Sequence, residues 1–76
     1  MTDDELVEAV SRLSMLILSH QLELEVGFDF RGWQIRVRGY DPVGALHEDG
    51  FVEHDSMIQS MLTAVETFCV RYGIPT

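Results

Sequence analysis

A ten-residue run of alternating apolar and polar side chains constrains the fold of this chain more than any other feature. Between positions 21 and 30 every second residue is apolar, and the residues between them are polar or glycine. Side chains of a β-strand point alternately to opposite faces, so this period of two predicts a strand with one buried and one wet face. The apolar positions are Leu22, Leu24, Val26, Phe28 and Phe30.

A second alternating run, residues 33–40, follows after Arg31 and Gly32 and predicts a β-hairpin with a tight turn at those two residues. The turn sets the register, because opposite residues must lie at equal distances from it. One face then holds the apolar pairs Phe30 with Trp33, Phe28 with Ile35, and Val26 with Val37. The other face holds Glu25 opposite Arg38, Glu23 opposite Tyr40, and Asp29 opposite Gln34, which are complementary cross-strand pairs.

A helix before the hairpin begins with a clear signal. Residues 2–5 read Thr-Asp-Asp-Glu, which is a capping box, and the two aspartates suit the positive end of a helix. We therefore predict a helix over about residues 3–19. Its core face is one apolar stripe at three- and four-residue spacing, made of Leu6, Ala9, Val10, Leu13, Leu16 and Ile17.

Three further apolar residues of this helix, Val7, Met15 and Leu18, lie roughly 100 to 180 degrees around its axis from that stripe. We expect the sheet and the second helix to flank the first helix broadly enough to cover them, because the domain is small. The alternative is an exposed apolar patch that marks a dimer or partner interface.

The segment after the hairpin contains turn signals and one short strand. Asp41 and Pro42 predict a turn, and residues 43–47 are long enough only for a short third strand. Residues 48–50, Glu-Asp-Gly, are predicted to form a polar loop. Phe51 and Val52 are then expected to return to the core.

A second helix is predicted from Asp55 or Ser56 to about residue 72. Ser56 and Gln59 form a second capping box, and Gly73, Ile74 and Pro75 are typical of a helix end. The apolar stripe of this helix contains Ile58, Met61, Leu62, Val65, Phe68, Cys69 and Tyr72.

These elements predict one α+β domain over residues 1–76. Helix, β-hairpin, short third strand and helix (αβββα) make a two-layer sandwich, with both helices packed on one face of an antiparallel sheet. A chain of 76 residues is long enough for one domain and one small core.

The surroundings expected for this chain are intracellular and cytoplasmic. Cys69 has no second cysteine with which to form a disulfide. The first residues lack the pattern of a signal peptide, and no apolar run approaches the roughly 18 residues of a membrane span. We therefore expect no membrane partner.

Acidity is the most distinctive property of the composition. The chain has 13 Asp and Glu residues against five arginines and no lysine, for a net charge of −8. Binding to a nucleic-acid backbone requires a patch of Lys and Arg, so we expect no direct contact with nucleic acid. A protein partner with a basic surface fits this charge better.

The acids concentrate toward the two ends of the sequence, and two groups are candidates for partner binding. The first group contains Asp3, Asp4, Glu5 and Glu8, and the second contains Glu48, Asp49, Glu53 and Asp55. Carboxylates spaced along a rigid surface can replace phosphates opposite an Arg- and Lys-lined channel.

Catalytic, metal-binding and cofactor motifs are not recognisable in the sequence. The spacing of His20, His47 and His54 matches no standard ligand pattern, and no phosphate-binding glycine loop is present. Cys69 lies on an apolar helix stripe and is expected to act as a small buried hydrophobic residue. We predict no catalytic residue, cofactor or metal, with a metal protein built around His47 and His54 as a rival hypothesis.

In size, acidity and simple topology the chain resembles the small proteins that bacteriophages and mobile elements encode, among them anti-CRISPR proteins. The resemblance implies a stoichiometric inhibitor that binds a host nucleic-acid-binding defence protein and blocks its basic surface, in some cases as a nucleic-acid mimic. The alternative is a homodimeric or complex-forming accessory module that assembles through Val7, Met15 and Leu18.

Overall fold

The chain folds as helix, three strands and helix, so the predicted α+β class with the order αβββα is confirmed. This computed structural model describes residues 2–76. The strands form one antiparallel sheet in the order β1-β2-β3. The elements are α1 (Asp3–His20), β1 (Glu23–Asp29), β2 (Gly32–Tyr40), β3 (Leu46–Glu53) and α2 (Met57–Arg71). Neither helix of residues 2–76 has the length and apolar character needed to cross a membrane.

Both helices begin at the predicted hydroxyl caps. The side-chain oxygen of Thr2 accepts a hydrogen bond from the amide of Glu5 at 3.2 Å, and that of Ser56 accepts one from the amide of Gln59 at 3.3 Å. Each cap satisfies one of the amides that a helix N-terminus leaves without a partner inside the helix.

The two helices also end in the same way. The amides of Leu22 and Ile74 each donate to the carbonyl five residues earlier, at 3.0 and 2.9 Å. The residue before each of them, Gln21 or Gly73, has a positive φ of 53° or 69°, which turns the chain back on itself. Leu22 and Ile74 are consequently buried against the core.

The predicted register of the hairpin is wrong by two residues. β1 and β2 place Phe28 opposite Trp33, while the next apolar pairs are Val26 with Ile35 and Leu24 with Val37. The turn residues are Phe30 and Arg31, one position earlier than expected. A shift by two residues leaves every side chain on its original face, so the division into an apolar and a charged face is confirmed.

Turn chemistry explains the difference. The carboxylate of Asp29 accepts a hydrogen bond from the amide of Arg31 at 2.8 Å and another from the Arg31 side chain at 2.8 Å. Gly32, three residues after Asp29, has a φ of 112° that other residues rarely adopt. Asp at the first position and Gly at the fourth are the residues that a type I turn favours.

The third strand is longer than predicted, and the expected polar loop at residues 48–50 is part of it. One carboxylate oxygen of Asp41 accepts hydrogen bonds from the amides of Val43 and Ala45, at 3.0 and 2.9 Å. This turn completes the reversal before Leu46, so residues 43–45 are not in the strand. β3 then pairs with β2 from Leu46 through Glu53.

The core forms between α2, the apolar face of the sheet and α1. α2 packs across β2 and β3, and the main contact of α1 is with α2. Val52 projects to the charged face of the sheet rather than into the core, because it alternates with Phe51. The buried apolar residues are Ala9, Leu13, Leu16, Leu22, Ile35, Val37, Leu62, Ala64, Val65, Phe68, Cys69 and Ile74.

The core stripe predicted for α1 is narrower in the structure. Ala9, Leu13 and Leu16 are buried, whereas Leu6 and Val10 are exposed by 42% and 40%. The main contact of α1 in residues 2–76 is with α2, and its contacts with the strands are weak, so this helix is covered less broadly than predicted.

Candidate interaction surface

The first predicted acidic group lies on the opening turns of α1. Asp3, Asp4, Glu5 and Glu8 are all exposed, and three of them occupy the first turn. Negative side chains at a helix N-terminus are stabilised by the partial positive charge of the unpaired amides there. The three carboxylates of the first turn therefore stabilise the helix, and Glu8 lies one turn further along.

The second predicted group is divided between different surfaces. Glu48 points to the charged face of the sheet and its carboxylate lies 3.3 Å from Nε of Arg36. Asp49 points to the opposite face and is bound by α2. Glu53 is the last residue of β3, about 16 Å along the strand from Glu48, and Asp55 follows two residues later.

The fold brings Glu53 and Asp55 to the same end of the molecule as the first group. Glu5 and Glu8 line one groove with Gln59, and one helical turn later Arg12 contacts Glu66 at 3.0 Å. α1 and α2 consequently run in the same direction, with both N-termini at one end. We call Asp3, Asp4, Glu5, Glu8, Glu53 and Asp55 the acidic end.

Ion pairing separates the acidic end from the rest of the surface. Of the 13 acids, six form ion pairs with arginine and a seventh, Asp41, contacts His47. The six acids without such a partner in residues 2–76 are those of the acidic end. All five arginines are used elsewhere. The ion pairs are Arg12–Glu66, Arg31–Asp29, Arg36 with Glu25 and Glu48, Arg38–Glu23 and Arg71–Asp49.

The charged face of the sheet is close to neutral as a result. Arg36 lies between Glu25 at 2.9 Å and Glu48 at 3.3 Å, and Arg38 lies 3.9 Å from Glu23. Such exposed pairs add little stability, since water screens them. Their importance here is that they neutralise the basic residues of the sheet.

A polar cluster joins β3 to the end of α2. The His47 ring stacks on Tyr72 with ring centroids 3.9 Å apart, and its Nε2 lies 2.8 Å from Asp41. The Tyr72 hydroxyl donates to Asp49 at 2.7 Å, and Arg71 donates to the same carboxylate oxygen at 2.6 Å. The carboxylate of Asp49 is therefore held by hydrogen bonds within the chain.

These contacts shift the ionisation of both aspartates. The hydrogen bonds from Tyr72 and then Arg71 hold the pKa of Asp49 below its ordinary value, although partial burial opposes them. The hydrogen bond from His47, followed by the amides of Ala45 and Val43, lowers the pKa of Asp41. Ionised aspartates are thus favoured by the folded state.

Stability is expected to fall in acid for this reason. A lowered folded-state pKa contributes stability above the unfolded value, near pH 4, and that contribution disappears as pH falls through the folded value. Urea unfolding should give a nearly constant free energy from about pH 7 to 5 and a decline below about pH 5. Asp49→Asn should lower stability at neutral pH, with the gap to wild type narrowing toward about pH 3. A gap of constant size across this range would contradict the prediction.

The rival hypothesis of a metal protein requires His47 and His54 to lie close together with other ligands. No group of three or more His, Cys, Asp or Glu side chains in residues 2–76 is placed to hold a metal ion. His47 belongs to the polar cluster, whereas His54 is exposed beyond the far end of β3. Cys69 is fully buried, and its burial raises the pKa of the thiol.

An exposed aromatic group at the hairpin turn was not predicted from the sequence. The aromatic tip contains Phe28, Phe30 and Trp33, and Phe28 and Phe30 are exposed by 67% and 97%. The rings of Phe28 and Trp33 lie 4.5 Å apart at 50°, beside an open pocket of about 380 Å³. The Asp-x-x-Gly signal of residues 29–32 could have identified this turn, which places Phe30 outside the core.

The prediction that the sheet and the second helix cover the remaining apolar residues of α1 is wrong for residues 2–76. Val7, Met15 and Leu18 are exposed by 63%, 50% and 79%. The alternative, an exposed apolar patch, is the correct description of these residues, and its use as an interface stays a prediction.

Comparisons with protein-family models, curated proteins and solved structures found no match to this chain. A fold of three strands and two helices carries no function by itself. The charged and aromatic surfaces are the features of this chain that bear on its function.

Proposed function

We propose that this chain is a non-catalytic interaction protein that binds the basic surface of a host nucleic-acid-binding defence protein and inhibits it. The acidic end is the binding surface, and a phage or mobile element is the source that fits this role. The interaction requires no cofactor and no direct contact with nucleic acid.

One observation supports the proposal above the others. The six acids without an ion-pair partner in residues 2–76 lie together at one end, while every arginine is paired with an acid elsewhere. Here the available negative charge is gathered where one partner can contact it.

The physical basis of binding is replacement of phosphates by carboxylates. Arg and Lys side chains form charge-assisted hydrogen bonds with either group, and arginine can bind a carboxylate through two bonds at once. The opening turns of α1 hold four of the carboxylates and the end of β3 holds Glu53. Placement on regular elements reduces the entropy lost on binding. Occupation of the partner's basic channel would exclude its nucleic acid.

Charge reversal within the acidic end should weaken this interaction. The partner is first captured with the wild-type chain and tested for loss of nucleic-acid binding when the chain is added. Calorimetry should then show at least about tenfold weaker binding for the double variant Glu5→Lys/Glu8→Lys. Circular dichroism verifies that the variant is folded.

The matched control is Glu23→Lys/Glu25→Lys, which makes the same change in net charge on β1. If net charge alone governed affinity, both double variants would lose it equally, and the assignment of the acidic end would be wrong. A captured partner whose nucleic-acid binding is unaffected by the chain would overturn the inhibitory function.

A second candidate function is that of a homodimeric or complex-forming accessory module. It is favoured by the exposure of Val7, Met15 and Leu18. Light scattering of the wild-type chain over a concentration series distinguishes the two. A stoichiometric inhibitor need not self-associate, whereas a dimeric module doubles its mass as concentration rises.

A further inference from the structure

We propose that the aromatic tip is a binding site for a cationic side chain, specifically the guanidinium of an arginine on the protein partner. This inference rests on the proposed function, since it names a second contact of the same partner. It adds a recognition site that the acidic residues alone do not provide.

The tip presents aromatic surface that the fold leaves uncovered. Phe30 is 97% exposed, at the outermost point of the hairpin, and Phe28 is 67% exposed beside the half-buried ring of Trp33. Aromatic rings are enriched at the energetically dominant positions of protein interfaces. The open pocket beside them, bounded also by Gly32 and His54, is large enough for one side chain.

The tip already holds one guanidinium within the chain. The Cζ atom of Arg31 lies 5.8 Å from the centroid of the Phe30 ring, and its Nη2 donates to Asp29 at 2.8 Å. An aromatic face together with a carboxylate is the combination that recognises a cation through the ring quadrupole and a hydrogen bond. Phe30 also lines the pocket beside Phe28 and Trp33, so its other ring face, together with their rings, is open to a second guanidinium.

Glu53 supplies the carboxylate for an incoming cation. It lies directly opposite Trp33 in the sheet register, so the two side chains share one face. Both oxygens of Asp29 accept hydrogen bonds from Arg31, whereas Glu53 has no ion-pair partner within residues 2–76. Glu53 also belongs to the acidic end, which makes the two surfaces continuous.

Charge complementarity favours a basic partner over a second copy of this chain. Apposition of two tips would place the Glu53 carboxylates of both copies near the same interface, in a molecule with a net charge of −8. Like charges at an interface oppose association. An arginine side chain can contact both the aromatic rings and the Glu53 carboxylate. Its flat guanidinium stacks on a ring while its N–H groups bind a carboxylate.

The test is an NMR titration of the 15N-labelled chain with two blocked tripeptides, Gly-Arg-Gly and Gly-citrulline-Gly. Citrulline has nearly the shape of arginine without its charge. The arginine peptide should shift the Trp33 indole signal and the amides of residues 28–33 and 53. The citrulline peptide should bind at least about threefold more weakly.

Phe30→Ala should weaken binding of the arginine peptide at least about threefold, and the exposure of Phe30 means that the fold should survive. Leu18→Ala is the matched control, because it removes a similarly exposed apolar side chain on α1 and should leave the affinity unchanged. Equal binding of the two peptides, or full affinity in Phe30→Ala, would overturn the proposal. So would shifts at the tip caused by protein concentration alone, which would identify a second copy as the occupant.

Measurements with the captured partner separate this inference from the proposed function. If Phe30→Ala binds the partner as wild type does while Glu5→Lys/Glu8→Lys does not bind it, the proposed function is supported and the binding site at the tip is rejected. If the tip binds the arginine peptide selectively and Glu5→Lys/Glu8→Lys binds the partner normally, the assignment of the acidic end fails alone.

Discussion

Replacing Phe68 with alanine should destabilise the chain by about 3–5 kcal/mol. The ring is completely buried in α2, and it meets Tyr72 edge to face with centroids 4.9 Å apart. Together with Leu22 it fills the space over Gly39 of β2, where an added Cβ atom would meet Leu22 first and lie 3.5 Å from the Phe68 ring. Its removal would open a cavity between helix and sheet that neighbouring side chains could fill only in part.

The effect is large compared with the stability of the whole chain. A protein of this length has an unfolding free energy of about 4–11 kcal/mol, so Phe68→Ala would leave a marginal fold. Urea unfolding followed by circular dichroism measures the change. The control Val70→Ala alters an exposed side chain on the same helix and should change stability by less than about 0.5 kcal/mol. Similar losses for both variants would contradict the assignment to core packing. Helix propensity cannot cause a loss, because alanine is a better helix former than phenylalanine or valine.

Gly32→Ala should be the second most damaging change, with a loss of about 2–3 kcal/mol. The φ of 112° at this position is unfavourable for any residue that has a Cβ atom. The new Cβ would also lie 2.7 Å from the carbonyl oxygen of Glu53, which belongs to the neighbouring strand. Either the hairpin turn or the end of β3 would have to move.

Gly27→Ala is the control for this variant, because Gly27 is on the same hairpin with open space around its Cα and an ordinary φ. That substitution should be neutral or stabilise the chain by about 0.4–1 kcal/mol. The same urea experiment compares the two. Comparable stability of the Gly32→Ala and Gly27→Ala variants would contradict the claim that the turn requires glycine.

Features decided by nearby residues were predictable from the sequence. The caps at Thr2 and Ser56 and the helix end at Gly73 depend on residues within one turn of helix, and all three are confirmed. The division of the hairpin into an apolar and a charged face depends only on alternation. Its register does not, because a shift by two residues preserves that pattern.

The length of β3 depends on contacts between distant parts of the chain. An acidic segment such as residues 48–50 is typical of a loop. In the fold, however, the carboxylate of Asp49 binds Arg71 and Tyr72 at the end of the second helix. A sequence pattern over a few residues cannot indicate a partner that lies 22 positions away. For the same reason, closeness in sequence groups Glu48 and Asp49 with Glu53 and Asp55, whereas the fold separates them.

The candidate surface was predictable in its residue types but not in its extent. Acidic side chains near both ends of the sequence are visible without a structure, whereas their ion-pair partners are not. Only the parallel direction of α1 and α2 places Glu5 and Asp55 at the same end. A turn at Arg31 and Gly32 places Phe30 opposite Trp33 on the apolar face. The sequence therefore does not indicate that Phe30 is exposed.

The uneven neutralisation of charge makes this molecule an electric dipole as well as an anion. Six uncompensated carboxylates lie at the acidic end, while the ion-paired sheet contributes almost no field. A basic partner would therefore turn the molecule before touching it, so that most encounters begin with the acidic end in front. Because dissolved ions shorten the range of that field, the rate of association should depend on ionic strength far more than the rate of dissociation does.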